Sequence, residues 1–202
     1  ALKINPKNST IINNLAKAYF DVNQFEKAKE YCLQALKLNK TDGNIQKILS
    51  FIYLRQQNYI KGWDYFDGRL GLSDFVEKNS SIMKIRNKLT SKNKLGIDSK
   101  ILVLREQGVG DEILYGTMYP DLLKKYKNVT IECDNRLKKI FKNSFPQHSK
   151  SFVDMGSISQ NEKALNNFDF AIYAGSLGGI FRNHIKEFSD GSFLSANKEL
   201  IN

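Results

Sequence analysis

Apolar residues recur at helical spacing along the first seventy positions, and the pattern repeats with a period of 34. Leu15 returns as Leu49, Tyr19 as Tyr53, Phe25 as Tyr59, Ala28 as Gly62 and Cys32 as Phe66. Ile12, Leu15, Ala16 and Tyr19 fall on one face of a first helix, and Ala28, Cys32 and Ala35 on the facing stripe of a second. Asn23 and Gln24 supply the short turn between them. Residues 73–99 are rich in Ser, Asn and Lys, show no sustained apolar period, and read as a linker with one short helix near 82–89.

From Lys100 the pattern changes. "ILVLR" is a short continuous apolar run, as expected of a strand covered on both faces, and a helical pattern over 111–126 follows it directly. Pro120 falls inside that pattern, so a kink is expected there, with Gly116 relieving the clash. "VTIEC" (129–133) is a second strand, after which Asp134 is placed to cap a helix that Pro146 stops. "SFVDMG" holds a third strand, and "SQNEKALNN" a short helix with Ser159 as cap and Glu162 closing the box. "FDFAIYAG" (168–175) is the fourth strand. Strands and helices in alternation predict a parallel sheet, half of a doubly wound fold. The fold class is therefore helical repeats followed by an α/β Rossmann-like domain, with boundaries at 1–72, 73–99 and 100–202.

The first repeat (9–42), carried by "NSTIINNLAKAYFDVNQFEKAKEYCLQALKLNK" at 8–40, resembles the tetratricopeptide repeat, a helix-turn-helix unit that buries large residues between its helices and needs small ones where they cross. Pro6 stands where such repeats often end in proline, and Lys40 replaces it after the first copy. The second copy (43–72) is more degenerate, and Trp63, Tyr65 and Phe66 give its last helix an aromatic density beyond what the repeat needs, as if it packs on something other than another repeat. The resemblance implies a groove that takes a peptide. Two repeats bury little alone, and the chain opens in mid-pattern, so it reads as a piece of a longer protein.

The formal charge of +10 raises a nucleic-acid partner, but the excess is diffuse. It sits on lysines at solvent-facing helix positions and in the linker, without the interleaved arginines and aromatics of a single-strand binder, which favours a solvated basic surface and no nucleic acid. No segment approaches the ~20 apolar residues of a membrane span, and "ALKINPKNST" lacks the layout of a signal peptide, so a cytoplasmic location is expected. Cys32 and Cys133 lie far apart in apolar segments and read as core thiols; with only His148 and His184 there is no metal-binding spacing to assemble.

The candidate chemistry lies in "EQGVGDEI", where the first strand ends in a glycine turn that opens a helix. In a doubly wound sheet ligands sit beyond the carboxyl ends of the strands, so this turn is in the right place. It is a poor phosphate cradle: Ile113 stands where the dinucleotide fingerprint needs its third glycine, Asp111 and Glu112 put two carboxylates at the helix start, and there is no Walker lysine. Glu112 reads as a dipole partner of the helix. Asp111 has two readings, a cap for free N–H groups or a general base facing a bound hydroxyl.

"LREQGVGDEILYGTMYPDLLKK", "VTIECDNRLKKIFKNSFP", "FDFAIYAGSLGGIFR" and "FLSANKELI", in that order and preceded by "NYIKGWDYFDGRL", resemble the acceptor-side half of bacterial tetratricopeptide-containing glycosyltransferases with a heptosyltransferase-like, GT-B catalytic part. The Trp-containing segment that this family would place before the first strand is absent from 73–99. The resemblance implies that Asp111 is the base that removes a proton from an acceptor hydroxyl as the oxygen attacks the anomeric carbon, with inversion. It implies that Gly108 and Gly110 let the backbone approach the sugar, and that Gln107, Thr117, Ser176 and Arg182 hold the acceptor, a protein or a saccharide. No cofactor is expected on this chain, since the family's nucleotide-sugar donor binds in a second domain that these residues do not include. The chain alone is therefore expected to be inactive, because the donors that stabilise the leaving group are missing. The alternative is a non-catalytic tetratricopeptide scaffold for protein interaction.

Overall fold

The computed structural model describes residues 8–78, 95–106 and 108–196. Pro6, Gln107 and the short helix expected near 82–89 lie outside them. The chain forms two compact units, one all-helical and one built on a sheet.

The helical unit holds α1 (Ser9–Asp21), α2 (Phe25–Leu38), α3 (Gly43–Arg55) and α4 (Tyr59–Phe66). The helices pack as two hairpins, α1 on α2 and α3 on α4, with α2 also against α3. Polar residues start three of them: Asn8 accepts from the Ile11 N–H, Asp42 from Asn44 and Ile45, and Asn58 from Lys61. The core is the apolar stripe of the sequence pattern, with Ile12, Ala16, Cys32, Ala35, Ile45, Leu49 and Tyr53 buried together. The small residue expected at the second helix crossing is Gly62: a Cβ there would lie 2.6 Å from Leu54 Cδ2 and 3.1 Å from the Leu54 backbone nitrogen.

One periodic feature joins the hairpins internally. Tyr19 stacks on Tyr31 (centroids 5.4 Å, planes 3° apart) and Tyr53 on Tyr65 (5.8 Å, 7°), with Lys27 over Tyr19 and Lys61 over Tyr53. Two of the second copy's aromatics thus face α3, Tyr65 on Tyr53 and Phe66 on Phe51, while Trp63 stands edge-on to Phe66 within α4. A 3-10 turn (Asp67–Gly71) follows, where the Arg69 guanidinium lies 4.1 Å from the Phe66 ring centroid. The stretch read as linker opens with a helix, α5 (Ser73–Lys78).

The second unit contains β1 (Lys100–Leu104), β2 (Asn128–Cys133), β3 (Phe152–Asp154) and β4 (Phe170–Tyr173), all parallel, in the order β3-β2-β1-β4. This is the order of the first four strands of a doubly wound sheet, and it makes the gap between β1 and β4 the topological switch point. Ile101, Leu102, Val103 and Leu104 are essentially inaccessible, as a strand covered on both faces requires.

The single kinked helix expected over 111–126 is two helices, α6 (Val109–Gly116) and α7 (Tyr119–Lys125). Pro120 stands in the first turn of α7, where no intrahelical N–H is lost, so the chain breaks instead of kinking. Gly116 has a packing role as well: a Cβ there would lie 3.1 Å from the Phe193 ring and 3.4 Å from Phe141. Asp134 caps α8 (Asn135–Ser144) as expected, accepting from Arg136 N–H. The cap of α9 (Glu162–Leu165) is Asn161 and not Ser159. Ser159 is taken by another partner, donating its N–H to buried Glu132 Oε1 at 2.6 Å. After β4 come a 3-10 turn (Ala174–Leu177) and α10 (Gly178–Phe181). Cys32 and Cys133 are both inaccessible, and burial pushes each thiol up to about 12.

Candidate functional site

The carboxyl ends of β1 and β4 are tied to each other just beyond the sheet. Glu106, 4 % exposed, accepts a 2.6 Å hydrogen bond from the Gly175 N–H, which joins the loop after β1 to the turn after β4. Ser176, also buried, is the next residue of that turn. The glycine turn leads from Glu106 into α6, so Gly108, Gly110, Asp111 and Ser176 gather at the switch point.

Gly108 is the residue before the first turn of α6, in extended backbone, and Asp111 is the third residue of the helix. Asp111 Oδ2 accepts from the Gly108 N–H at 3.2 Å, so the carboxylate closes the turn from inside the helix. Among the described residues Asp111 Oδ1 makes no hydrogen bond. Both Gly108 and Gly110 are exposed. A Cβ on Gly110 would meet nothing within 4 Å, so the backbone there borders open space.

Glu112, read from sequence as a dipole partner, belongs to a polar frame on the β2 side. It is 1 % exposed, and its Oε2 accepts from Arg105 Nε at 2.6 Å while its Oε1 accepts from the Asp134 N–H at 2.9 Å. Arg105 also reaches Asp134 Oδ2 at 3.2 Å, and Arg136 closes on the same carboxylate through Nε (2.8 Å) and Nη2 (2.9 Å). The frame links β1, β2, α6 and α8, and so fixes where α6 starts. Burial raises the Glu112 carboxyl above its ordinary range against the opposing pull of the Asp134 N–H and Arg105. Hydrogen bonding from the Arg136 side chain holds the Asp134 carboxyl well below its own.

Thr117 and Arg182 form a separate group. Arg182, 4 % exposed, donates through Nη1 to Asp121 Oδ2 and Phe181 O, and through Nη2 to Thr117 O, each at 2.7 Å. The Thr117 hydroxyl donates to Leu114 O, also at 2.7 Å. These bonds fasten the break between α6 and α7 to the end of α10. Thr117 is six residues beyond Asp111, about 9 Å along a helix axis, so this group lies away from the glycine turn.

Sequence reading singled out neither Arg105 nor Glu106, and it gave Glu112 only a dipole role and Asp134 only a capping role, without the frame that joins them. Their signal was weak: charged residues adjoining apolar strands, where a buried charge demands a partner. Among the described residues no group of three His, Cys, Asp or Glu side chains is placed to hold a metal ion, and no helix is long and apolar enough to cross a membrane.

In comparison with known proteins, residues 10–42 fit the model of the tetratricopeptide repeat family. No curated protein and no solved structure matches the chain. Repeats of this family commonly serve protein interaction, and the matched segment covers α1 from its second residue, α2 and the turn between them.

Proposed function

We propose that the chain joins a protein-interaction repeat unit to the acceptor-binding half of a nucleotide-sugar-dependent glycosyltransferase, with Asp111 as general base. The observation that supports this reading is the state of Asp111 at the switch point. One carboxylate oxygen holds the glycine turn through Gly108, while the other is unengaged beside the open space at Gly110. An acceptor hydroxyl bound there would give its proton to Asp111 as its oxygen forms the bond to the anomeric carbon and the nucleotide diphosphate leaves. Ser176 and the exposed Gly108 backbone would position the acceptor, and a donor-binding domain supplied with this half would carry the nucleotide-sugar.

The test is Asp111→Asn in the polypeptide assayed together with its donor-binding domain. Asparagine can still accept from the Gly108 N–H, so the turn survives while the base is lost. Transfer should fall by about 10²-fold or more, the usual contribution of a positioned acid or base, with the thermal midpoint unchanged. Unchanged transfer would assign Asp111 to capping alone.

A second reading, a protein-interaction scaffold without catalysis, is favoured by the repeat match at 10–42 and by the cap that Asp111 already makes. Capture of a peptide by the repeats, with no transfer from any nucleotide-sugar in the assembled protein, is its expected result.

A further inference from the structure

A pocket of about 430 Å³ opens beside Arg182, with Asp121, Phe181, Lys186, Glu187 and Phe188 in its wall. Its charges cancel, two carboxylates against two cations, which disfavours both a phosphate and a metal or ammonium ion as occupant. Arg182 is a fixed part of the wall, spent on Asp121, Phe181 and Thr117. By pinning Asp121 Oδ2 it holds that carboxylate in one orientation, and Oδ1 makes no hydrogen bond among the described residues. The Lys186 ammonium also has no hydrogen bond or ion pair among the described residues. The Ser189 oxygen accepts from the Gly191 N–H and keeps its own O–H for donation. Phe188 is 39 % exposed and carries the Arg182 guanidinium 5.8 Å from its ring centroid.

An acceptor fixed by an arginine, two donors with capacity to spare and a half-exposed ring match one ligand class. Neighbouring hydroxyls on a sugar ring donate to a carboxylate and accept from an ammonium at the same time, and the ring's C–H face covers an aromatic side chain. We propose that this pocket binds a neutral sugar ring. The site lies at the α6–α7 break and not at the glycine turn, and binding there does not depend on whether Asp111 catalyses transfer.

The experiment is amide NMR of the full chain titrated with methyl α-glucoside, methyl α-mannoside and the methyl glycoside of N-acetylglucosamine, with inorganic phosphate and tetramethylammonium as the ionic arms. At least one glycoside should shift the resonances of residues 180–189 saturably, with a dissociation constant of about 1 mM, as a small polar ligand with few contacts gives. Lys186→Ala, which breaks no described contact, should weaken that binding about tenfold, the effect of losing one charged hydrogen bond, and Asp121→Asn should do likewise. The inference is overturned if no glycoside shifts these resonances, if phosphate or tetramethylammonium binds there as tightly, or if Lys186→Ala binds sugar like the wild type.

Discussion

Asn23 and Gln57 stand 34 residues apart and share one left-handed backbone conformation, φ 60° and 58°. Each donates its N–H to the carbonyl three residues back, Phe20 and Leu54, at 3.0 Å. The residue after each, Gln24 and Asn58, donates to Tyr19 and Tyr53 at 2.9 Å. The repeat is thus reproduced in the hydrogen bonds that end its first helices. A side chain at positive φ carries a steric penalty that asparagine tolerates better than glutamine. Gln57→Gly should therefore stabilise the helical unit by about 0.5–1 kcal/mol, and Asn23→Gly by less. Urea unfolding of both variants checks the order, and a loss of stability in Gln57→Gly would contradict it.

Gly62→Ala should destabilise the same unit by about 1–3 kcal/mol, the range for overpacking. The new methyl would lie 2.6 and 2.7 Å from Leu54 side-chain atoms and also press on the Leu54 backbone. Adding Leu54→Ala should recover part of that loss, because the two residues share one space. A double-mutant cycle with purely additive effects would show that the cost of the methyl does not arise from its contact with Leu54.

Glu112 serves the sheet unit through two hydrogen bonds at 1 % exposure. Glu112→Gln keeps one bond and turns the other into a donor facing a donor, an expected cost of about 1.5 kcal/mol. Glu112→Ala also strands the buried Asp134 N–H and opens a cavity, so about 3 kcal/mol or more is expected. Chemical denaturation should rank them in that order.

The two carboxyls of this frame give pH dependences of opposite sign. Asp134 titrates below its unfolded value of 3.8, so its contribution is present above that value and is lost as pH falls through the folded one. Glu112 titrates above its unfolded value of 4.5, so in the window above 4.5 the folded state holds the extra proton and stability falls as pH rises. Asp134→Asn, which retains a capping oxygen, should flatten the stability curve below pH 3.8, and Glu112→Gln should flatten it above 4.5. Midpoints of thermal unfolding across pH 2–8 read both limbs.

Much of the fold was legible because its signals are local. A 34-residue period, caps such as Asp134 and continuous runs such as "ILVLR" are written in consecutive residues, and they predict the helix hairpins and the parallel strands that the chain forms. Asn161 took the cap expected of Ser159, and the Ser159 N–H that a capping box would give to Glu162 goes to Glu132, 27 residues earlier. Thr117 and Arg182 were expected beside the acceptor on the family resemblance, yet they meet each other across 65 residues at the α6–α7 break.

The sequence by itself determined the element types, their alternation and the position of the glycine turn at a strand end, since helix and strand periods depend on which side chains can be buried on one face. Tertiary structure alone decided the strand order that makes this turn a switch point, the Arg105–Glu112–Asp134 frame that sets the start of α6, and the division of the predicted site residues into two groups. Those depend on charged and polar groups leaving water together, and the partner that compensates each one lies tens of residues away along the chain.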